Sequence, residues 1–270
     1  MTKRLSLISI LATAIALATL VAFATFTRPA SAATLVTPEA LQAGDLIRGQ
    51  SYAAVYYYGT DGFRYVFPND KTYFTWYKNF DTVKWLSDDD LSTIQIGGNV
   101  TYKPGIKMIK INSDPKVYAV GASGTIRAVT SEAIASGLYG NDWNKKIDDM
   151  PDGFFSNYKM GKSVEAVSGF SVTGEMADAT DINTDKGLKA ATKITISASG
   201  FSPSSVTIQA KTAVRFVNMD SVKHSASSDN GTWGTGTLPA GKHFSRYFKE
   251  AGTFTYHDAY GNYLGTIIVQ

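Results

Sequence analysis

From Lys193 to its last residue the chain is divided into short segments of alternating apolar residues, each closed by turn residues. They are Ile194 to Ala198, Val206 to Gln209, Ala213 to Asn218, Phe244 to Phe248, Thr253 to Tyr256 and Gly265 to Val269. A period of two sends successive side chains to opposite faces, so each segment reads as a half-buried strand. Strands this short and this closely spaced leave no room for crossover helices. Residues 192–270 are therefore expected to form a small antiparallel, all-β sandwich with Greek-key connections.

The preceding region has a different pattern. Between Tyr52 and Phe67 aromatic residues alternate around Gly59-Thr60-Asp61-Gly62, a hairpin signal. A second copy follows, in which Val117-Tyr118 echoes Val55-Tyr56, Gly121 and Gly124 echo Gly59 and Gly62, and Arg127 echoes Arg64. Each hairpin precedes a mixed segment that suits a short helix, with Phe74, Trp76 and Tyr77 in the first copy and Ala133, Ile134 and Leu138 in the second. Each copy closes on an acidic turn, Ser87-Asp88-Asp89-Asp90 and Ile147-Asp148-Asp149-Met150. Residues 45–172 thus read as a tandem of two α+β units. This stretch resembles tandem repeats of uncharacterised exported bacterial proteins, a resemblance that carries no activity. From 173 to 191 small and polar residues dominate, a composition that predicts a flexible linker.

Residues 1–32 read as an export signal. Lys3 and Arg4 precede an apolar run from Leu5 to Phe26, and Pro29-Ala30-Ser31-Ala32-Ala33 offers cleavage after Ala32. The run is about 20 residues long, enough for an uncleaved N-terminal anchor and the one route to a membrane. Either outcome predicts a periplasmic, cell-surface or secreted protein. The formal charge of +3 comes from Lys3, Arg4 and Arg28, since 23 basic and 23 acidic residues make up the rest. A balanced chain without a basic run predicts no nucleic-acid partner. The cysteine count is 0, so the exported cores must hold without disulfides.

The ordered run Gly200-Phe201-Ser202-Pro203, Val206-Thr207-Ile208, Val214 to Asp220 and His224 resembles the first half of a plastocyanin-like cupredoxin. Leu238-Pro239-Ala240-Gly241, Phe244, Phe248, Ala251 to Tyr256 and Gly265 to Val269 resemble the second half. The resemblance covers nearly all of residues 192–270 and implies the cupredoxin fold. It further implies a copper site with one His after the Asn-x-Asp strand and a Tyr-Cys, His, Met cluster between the last two strands. His224 matches the first position. Counting back from Gly265 sets His257 where Cys is expected, Tyr260 where His is expected and Tyr263 where Met is expected.

A type 1 blue centre depends on a Cys thiolate, so the absence of cysteine excludes it. What the residues leave open is a non-blue site from His224 and His257, with Tyr260, Tyr263, Asp258 or water as candidates to complete it. Imidazole with oxygen ligands suits Cu(II) or Zn(II). The competing reading is an empty scaffold in which His224 hydrogen-bonds its own loop and Tyr260 and Tyr263 form a recognition surface. His243 alternates with Phe244 and Phe248. With those rings in the core it is expected to face solvent.

The aromatic residues Tyr52, Tyr56, Tyr57, Tyr58, Tyr73, Trp76, Tyr77 and Trp85 suggest sugar stacking as well as ordinary core. The acidic turns lack the ligand spacing of a calcium loop and read as helix caps or solvated turns. No Gly-x-Ser-x-Gly, His-Glu-x-x-His or phosphate-binding Gly-rich motif is present, so the chain is not expected to be an enzyme. The sequence thus predicts an exported envelope protein whose C-terminal domain is a degenerate interaction module or a weak copper binder. A copper carrier or electron-transfer protein, and a glycan binder acting through the aromatic module, are the alternatives; the partner would be an envelope protein or a glycan.

Overall fold

The computed structural model describes residues 34–270; the expected export segment lies outside them. The first five-stranded sheet holds β1 (Leu46–Arg48), β2 (Tyr56–Tyr58), β3 (Arg64–Val66), β4 (Val83–Trp85) and β5 (Ile96–Asn99), in the order β4-β1-β2-β3-β5. The second holds β6 (Met108–Ile111), β7 (Asp114–Gly121), β8 (Thr125–Ala128), β9 (Ile147–Met150) and β10 (Lys159–Met160), in the order β10-β8-β7-β6-β9. Both are an antiparallel three-stranded meander flanked by one parallel strand on each side.

Helix α1 (Asp70–Trp76) connects β3 to β4, and α2 (Asp88–Ser92) connects β4 to β5. Helix α3 (Glu132–Tyr139) lies between β8 and β9. Asn69, Ser87 and Ser131 cap the three helices by accepting from the third residue onward, which satisfies otherwise orphaned N–H groups.

Residues 172–187 are ordered, contrary to the flexible linker expected there. They form α4 (Val172–Asp178) and α5 (Ile182–Lys186), capped by Ser171 and Asp181, and α5 ends on Gly187 in the left-handed conformation. Short polar residues bury little surface, but here they act through hydrogen bonds. Asn183 Oδ1 accepts from Thr60 N at 2.9 Å in the first hairpin turn. Glu175 Oε2 accepts from Ala122 N at 2.6 Å, and Asp185 Oδ1 from Ser123 N at 2.8 Å, in the second. Ile182 is buried in the core of the first sheet.

The sandwich follows. One sheet contains β11 (Thr192–Ser197), β12 (Gly200–Ser202), β14 (Thr212–Asn218) and β16 (His243–Phe248); the other contains β13 (Ser205–Ile208), β15 (Ser227–Ser228), β17 (Gly252–His257) and β18 (Leu264–Val269). All six expected strands are present. Pairing is mixed, because β11 runs parallel to β14 and β13 parallel to β18. Alternation fixes which face a side chain takes and says nothing of pairing sense, which is why the antiparallel expectation fails at these two pairs. The core is built on Ile194, Ile196, Phe216, Trp233, Tyr256 and Ile267. Between β13 and β14 the chain turns through Lys211, whose φ is +62°, a conformation that costs a non-glycine residue about 1–2 kcal/mol.

The outer face of β14 and β16 is covered by the first sheet. Tyr247 stacks on Phe63 at 4.9 Å and donates a hydrogen bond to Asp61. Ser245 N donates to Gln95 Oε1 at 2.9 Å, Lys242 pairs with Asp90 at 2.5 Å, and Arg215 donates to the Tyr58 hydroxyl. Gly62, at φ +81°, is required here, since an added Cβ would lie 2.7 Å from Ser245 Oγ.

This contact corrects the expectation for His243. The residue does point away from Phe248 and the sandwich core, but it is 2% exposed because the first sheet packs over that face. Its Nε2 has no partner. Burial, with the charges of Arg215 and Lys242, pushes its pKa down to about 3, so the ring is neutral.

Candidate functional site

The sandwich end that carries the loops is organised around His224 and Asp258. Asn218 ends β14 and turns the chain by donating Nδ2 to the carbonyls of Val222 and Leu238, at 2.7 and 2.8 Å. Backbone bonds between His224 and Leu238 in both directions then fix His224 against the neighbouring loop. Tyr256 faces the core, so the pleat sends His257 outward and brings Asp258 back inside.

His224 is 3% exposed and Asp258 is fully enclosed. The imidazole Nδ1 lies 2.7 Å from Asp258 Oδ2, and Nε2 lies 3.1 Å from Asp220 Oδ2. The Asp258 carboxylate also accepts from Ser225 N at 2.7 Å, Gly261 N at 2.7 Å, Ser225 Oγ at 3.2 Å and Tyr260 N at 3.2 Å. Carboxylates on both sides require a ring that donates from both nitrogens, which is the imidazolium. Burial works against that charge, but the hydrogen bonds to Asp258 and Asp220 outweigh it and raise the His224 pKa above its ordinary value. For Asp258 burial likewise opposes ionisation, yet His224 and the loop N–H groups hold its pKa below the usual carboxylate range. Asp220 is also lowered, chiefly by its bond to His224.

The other expected site residues surround this pair without joining it. His257 Nδ1 lies 2.7 Å from Asp229 Oδ1 on the outer face of its sheet. The side chain that enters the interior at this end of β17 is that of Asp258, one residue beyond His257. Tyr263 covers the pair, its ring centroid 5.9 Å from that of His224, while its hydroxyl donates to the Ala198 carbonyl at 2.8 Å. Gly200 makes room, for a Cβ there would meet the Tyr263 ring at 3.1 Å. The Tyr260 hydroxyl bonds Thr237 Oγ1 at 2.7 Å, and Lys223 Nζ sits 4.6 Å over its ring. Asp220 and Ser225 were not among the expected residues. The i, i+4 spacing of Asp220 and His224 was the available signal for Asp220, whereas Ser225 carried none.

These strands and this site define a cupredoxin-like sandwich in which a buried Asp–His–Asp ion pair occupies the loop end. Residues 174–269 match the cupredoxin-like domain family, so the domain is cupredoxin-like and lacks the cysteine ligand. Among solved structures, the chain is similar to a purple cupredoxin from Nitrosopumilus maritimus, at 26% identity over 29% of this chain and 99% of that one, with a TM-score of 0.28. It is also similar to the copper-containing nitrite reductase from Thermus scotoductus, at 22% identity over 31% of this chain and 23% of that one, with a TM-score of 0.28. For a mutant of amicyanin in its Cu(I) form the identity is 20% over 30% of this chain and 82% of that one, with a TM-score of 0.27. No curated protein matches the chain.

The residues present do not fit the copper that such a fold implies. There is no thiolate, both His224 nitrogens are engaged by carboxylates, and His257 is on the opposite face. Among the described residues no group of three or more His, Cys, Asp or Glu side chains is arranged to hold a metal ion.

The aromatic residues of the first sheet are mostly committed to packing. Tyr57, Tyr58 and Tyr73 are buried, and Trp76 Nε1 donates to the Thr101 carbonyl at 2.8 Å. Arg48 covers Trp85 at 4.0 Å and Arg64 covers Tyr56 at 4.6 Å. The acidic turns are likewise engaged: Asp88 accepts from Gln50 N and Ser51, and Asp148 pairs with Lys107 at 2.8 Å. Among the described residues no helix is long and apolar enough to cross a membrane.

Proposed function

We propose that this chain is an exported, non-catalytic envelope binding protein whose cupredoxin-like domain has become an interaction module held together by an ion pair instead of a metal. The observation that carries this reading is the double engagement of His224. An imidazolium bonded to carboxylates through both nitrogens has no lone pair to give a metal. A copper carrier using His224 and His257 would require both rings to turn to one point and His224 to lose its proton. The signal-like residues 1–32 support export. The identical strand order of the two five-stranded sheets supports a duplicated α+β module.

Titrating the full chain with Cu(II) and Zn(II), with His243→Gln as the control, tests the reading. Neither metal is expected to bind saturably. Stoichiometric binding that is lost in both His224→Ala and His257→Ala would overturn it.

Glycan binding by the first module keeps one specific support, a groove of about 440 Å³ lined by Phe67, Tyr73, Phe80, Asn69, Asn99 and Phe154. Phe80 stacks on Tyr73 at 4.4 Å and remains 48% exposed, as a sugar platform would. Retention on an envelope glycan column that is lost in Phe80→Ala would support this role.

A further inference from the structure

A second cleft opens where the first sheet, the end of α5 and the sandwich meet. It has a volume of about 460 Å³, within the range of small-molecule sites, and is lined by Tyr65, Gly97, Lys186, Leu188, Lys211, Tyr247 and Lys249. Three of its seven lining residues are lysines, each from a different segment, and no carboxylate lines it.

Among the described residues none of the three ammonium groups has a carboxylate within 4.0 Å, whereas Lys84, Lys107 and Lys242 each pair with an aspartate. The contrast is sharpest for Lys186. It is half-buried beside the Tyr65 ring, with its nitrogen 5.1 Å from the centroid, and burial lowers its pKa. The nearest negative groups, Asp185 and Asp61, are themselves enclosed. Asp185 accepts from Ser123 N, and Asp61 accepts from the Tyr65 hydroxyl at 2.5 Å and from Tyr247. Their charge lies behind the cleft wall and leaves its mouth cationic.

Lys211 enters the cleft from the sandwich. It reaches the cleft from a left-handed backbone position, φ +62°, where glycine would be the less strained choice.

We propose that this cleft is a binding site for a small molecule or polymer unit bearing at least two oxyanion groups. Leu188 and the phenol rings flank its non-polar part. The ligand bridges the first sheet, the α5 connection and the sandwich, so binding strengthens the junction between them.

The test uses the full chain, with sodium pyrophosphate, citrate and glucose as probes at matched ionic strength, read by calorimetric titration and thermal melting. Pyrophosphate, citrate or both are expected to bind saturably and raise the melting temperature, and glucose to do neither. Binding of pyrophosphate alone assigns phosphoryl groups, and binding of citrate alone assigns carboxylates. Lys186→Gln, Lys249→Gln and Lys211→Gly are each expected to weaken binding about two- to five-fold, and the triple variant by more than tenfold.

Lys211→Gly separates binding from structure, because it is expected to raise the melting temperature of the free protein while lowering affinity. No saturable binding of either anion, or binding unchanged in the triple variant, would overturn the proposal. Neither result bears on the metal-free reading of His224, which the metal titration tests separately.

Discussion

Removing the His224 imidazole should be among the most damaging single changes to the sandwich. Asp258 is fully enclosed and is held ionised by His224 and the loop N–H groups. In His224→Ala the donors from Ser225, Tyr260 and Gly261 remain but the counter-charge is gone. Breaking a buried pair in this way costs about 3–5 kcal/mol. For a protein of this size each kcal/mol lowers the melting temperature by roughly 2–4 °C. Asp258→Ala should be similarly costly, because it strands the imidazolium and frees the loop from Tyr260 to Tyr263. The double variant should recover part of the loss, giving a coupling of about 2 kcal/mol in a mutant cycle.

The pH dependence of this pair has a definite sign. The folded His224 pKa is raised, so its contribution is complete below the unfolded value of about 6.5 and is lost as pH rises through the folded pKa. The Asp258 pKa is lowered, so its contribution is present above about 3.9 and is lost as pH falls through the folded value. Urea unfolding followed by tryptophan fluorescence should therefore show the largest penalty for His224→Ala between those limits. A penalty below about 1 kcal/mol there, or a coupling near zero, would show that the pair is no staple.

His243 should respond to pH in the opposite sense from His224. Its folded pKa of about 3 lies below the unfolded value, so the parent should lose stability relative to His243→Gln as pH falls below about 6.5, by roughly 2 kcal/mol at pH 5; parallel denaturation curves that do not converge or cross would contradict its burial. Gly62→Ala should lower the melting temperature, since the new Cβ meets both a positive φ and Ser245 Oγ, and a neutral result would place the first sheet away from the sandwich. Ile182→Ala should cost about 2–4 kcal/mol by emptying a position in the first core, whereas a flexible segment would tolerate it, and limited proteolysis between 173 and 191 reports the same difference.

The sandwich was legible because its short apolar segments, from Ile194 to Val269, are separated at regular intervals by turn residues. The two shortest strands, Gly200–Ser202 and Ser227–Ser228, were not legible, since glycine and serine carry no apolar period. The connection from 173 to 191 was misread for a related reason. Its stability lies in capping and in side-chain bonds to the hairpin turns, which composition does not register. At the site, His224 was identified from its place after the Asn-x-Asp strand. Counting back from Gly265 sets His257 at the cysteine position, but the count ignores the pleat: one step along a strand reverses the face, and Asp258 is the side chain that points inward. The burial of His243 was illegible on local grounds, for it depends on a sheet more than a hundred residues earlier in the chain.

Two features of the sandwich bear on each other. At the loop end the turn after β17 is tied to the segment after β14 by one carboxylate that accepts from His224, Ser225, Tyr260 and Gly261. At the opposite face, β14 and β16 are sealed against the first sheet through Asp61, Asp90 and Gln95. The outer face of β14 and β16 is occupied by the first sheet. What both arrangements favour is a fixed angle between the module and the sandwich. A fixed angle has functional value when a ligand touches both parts, and the lysine cleft formed by Lys186, Lys211 and Lys249 is a place where the two surfaces meet.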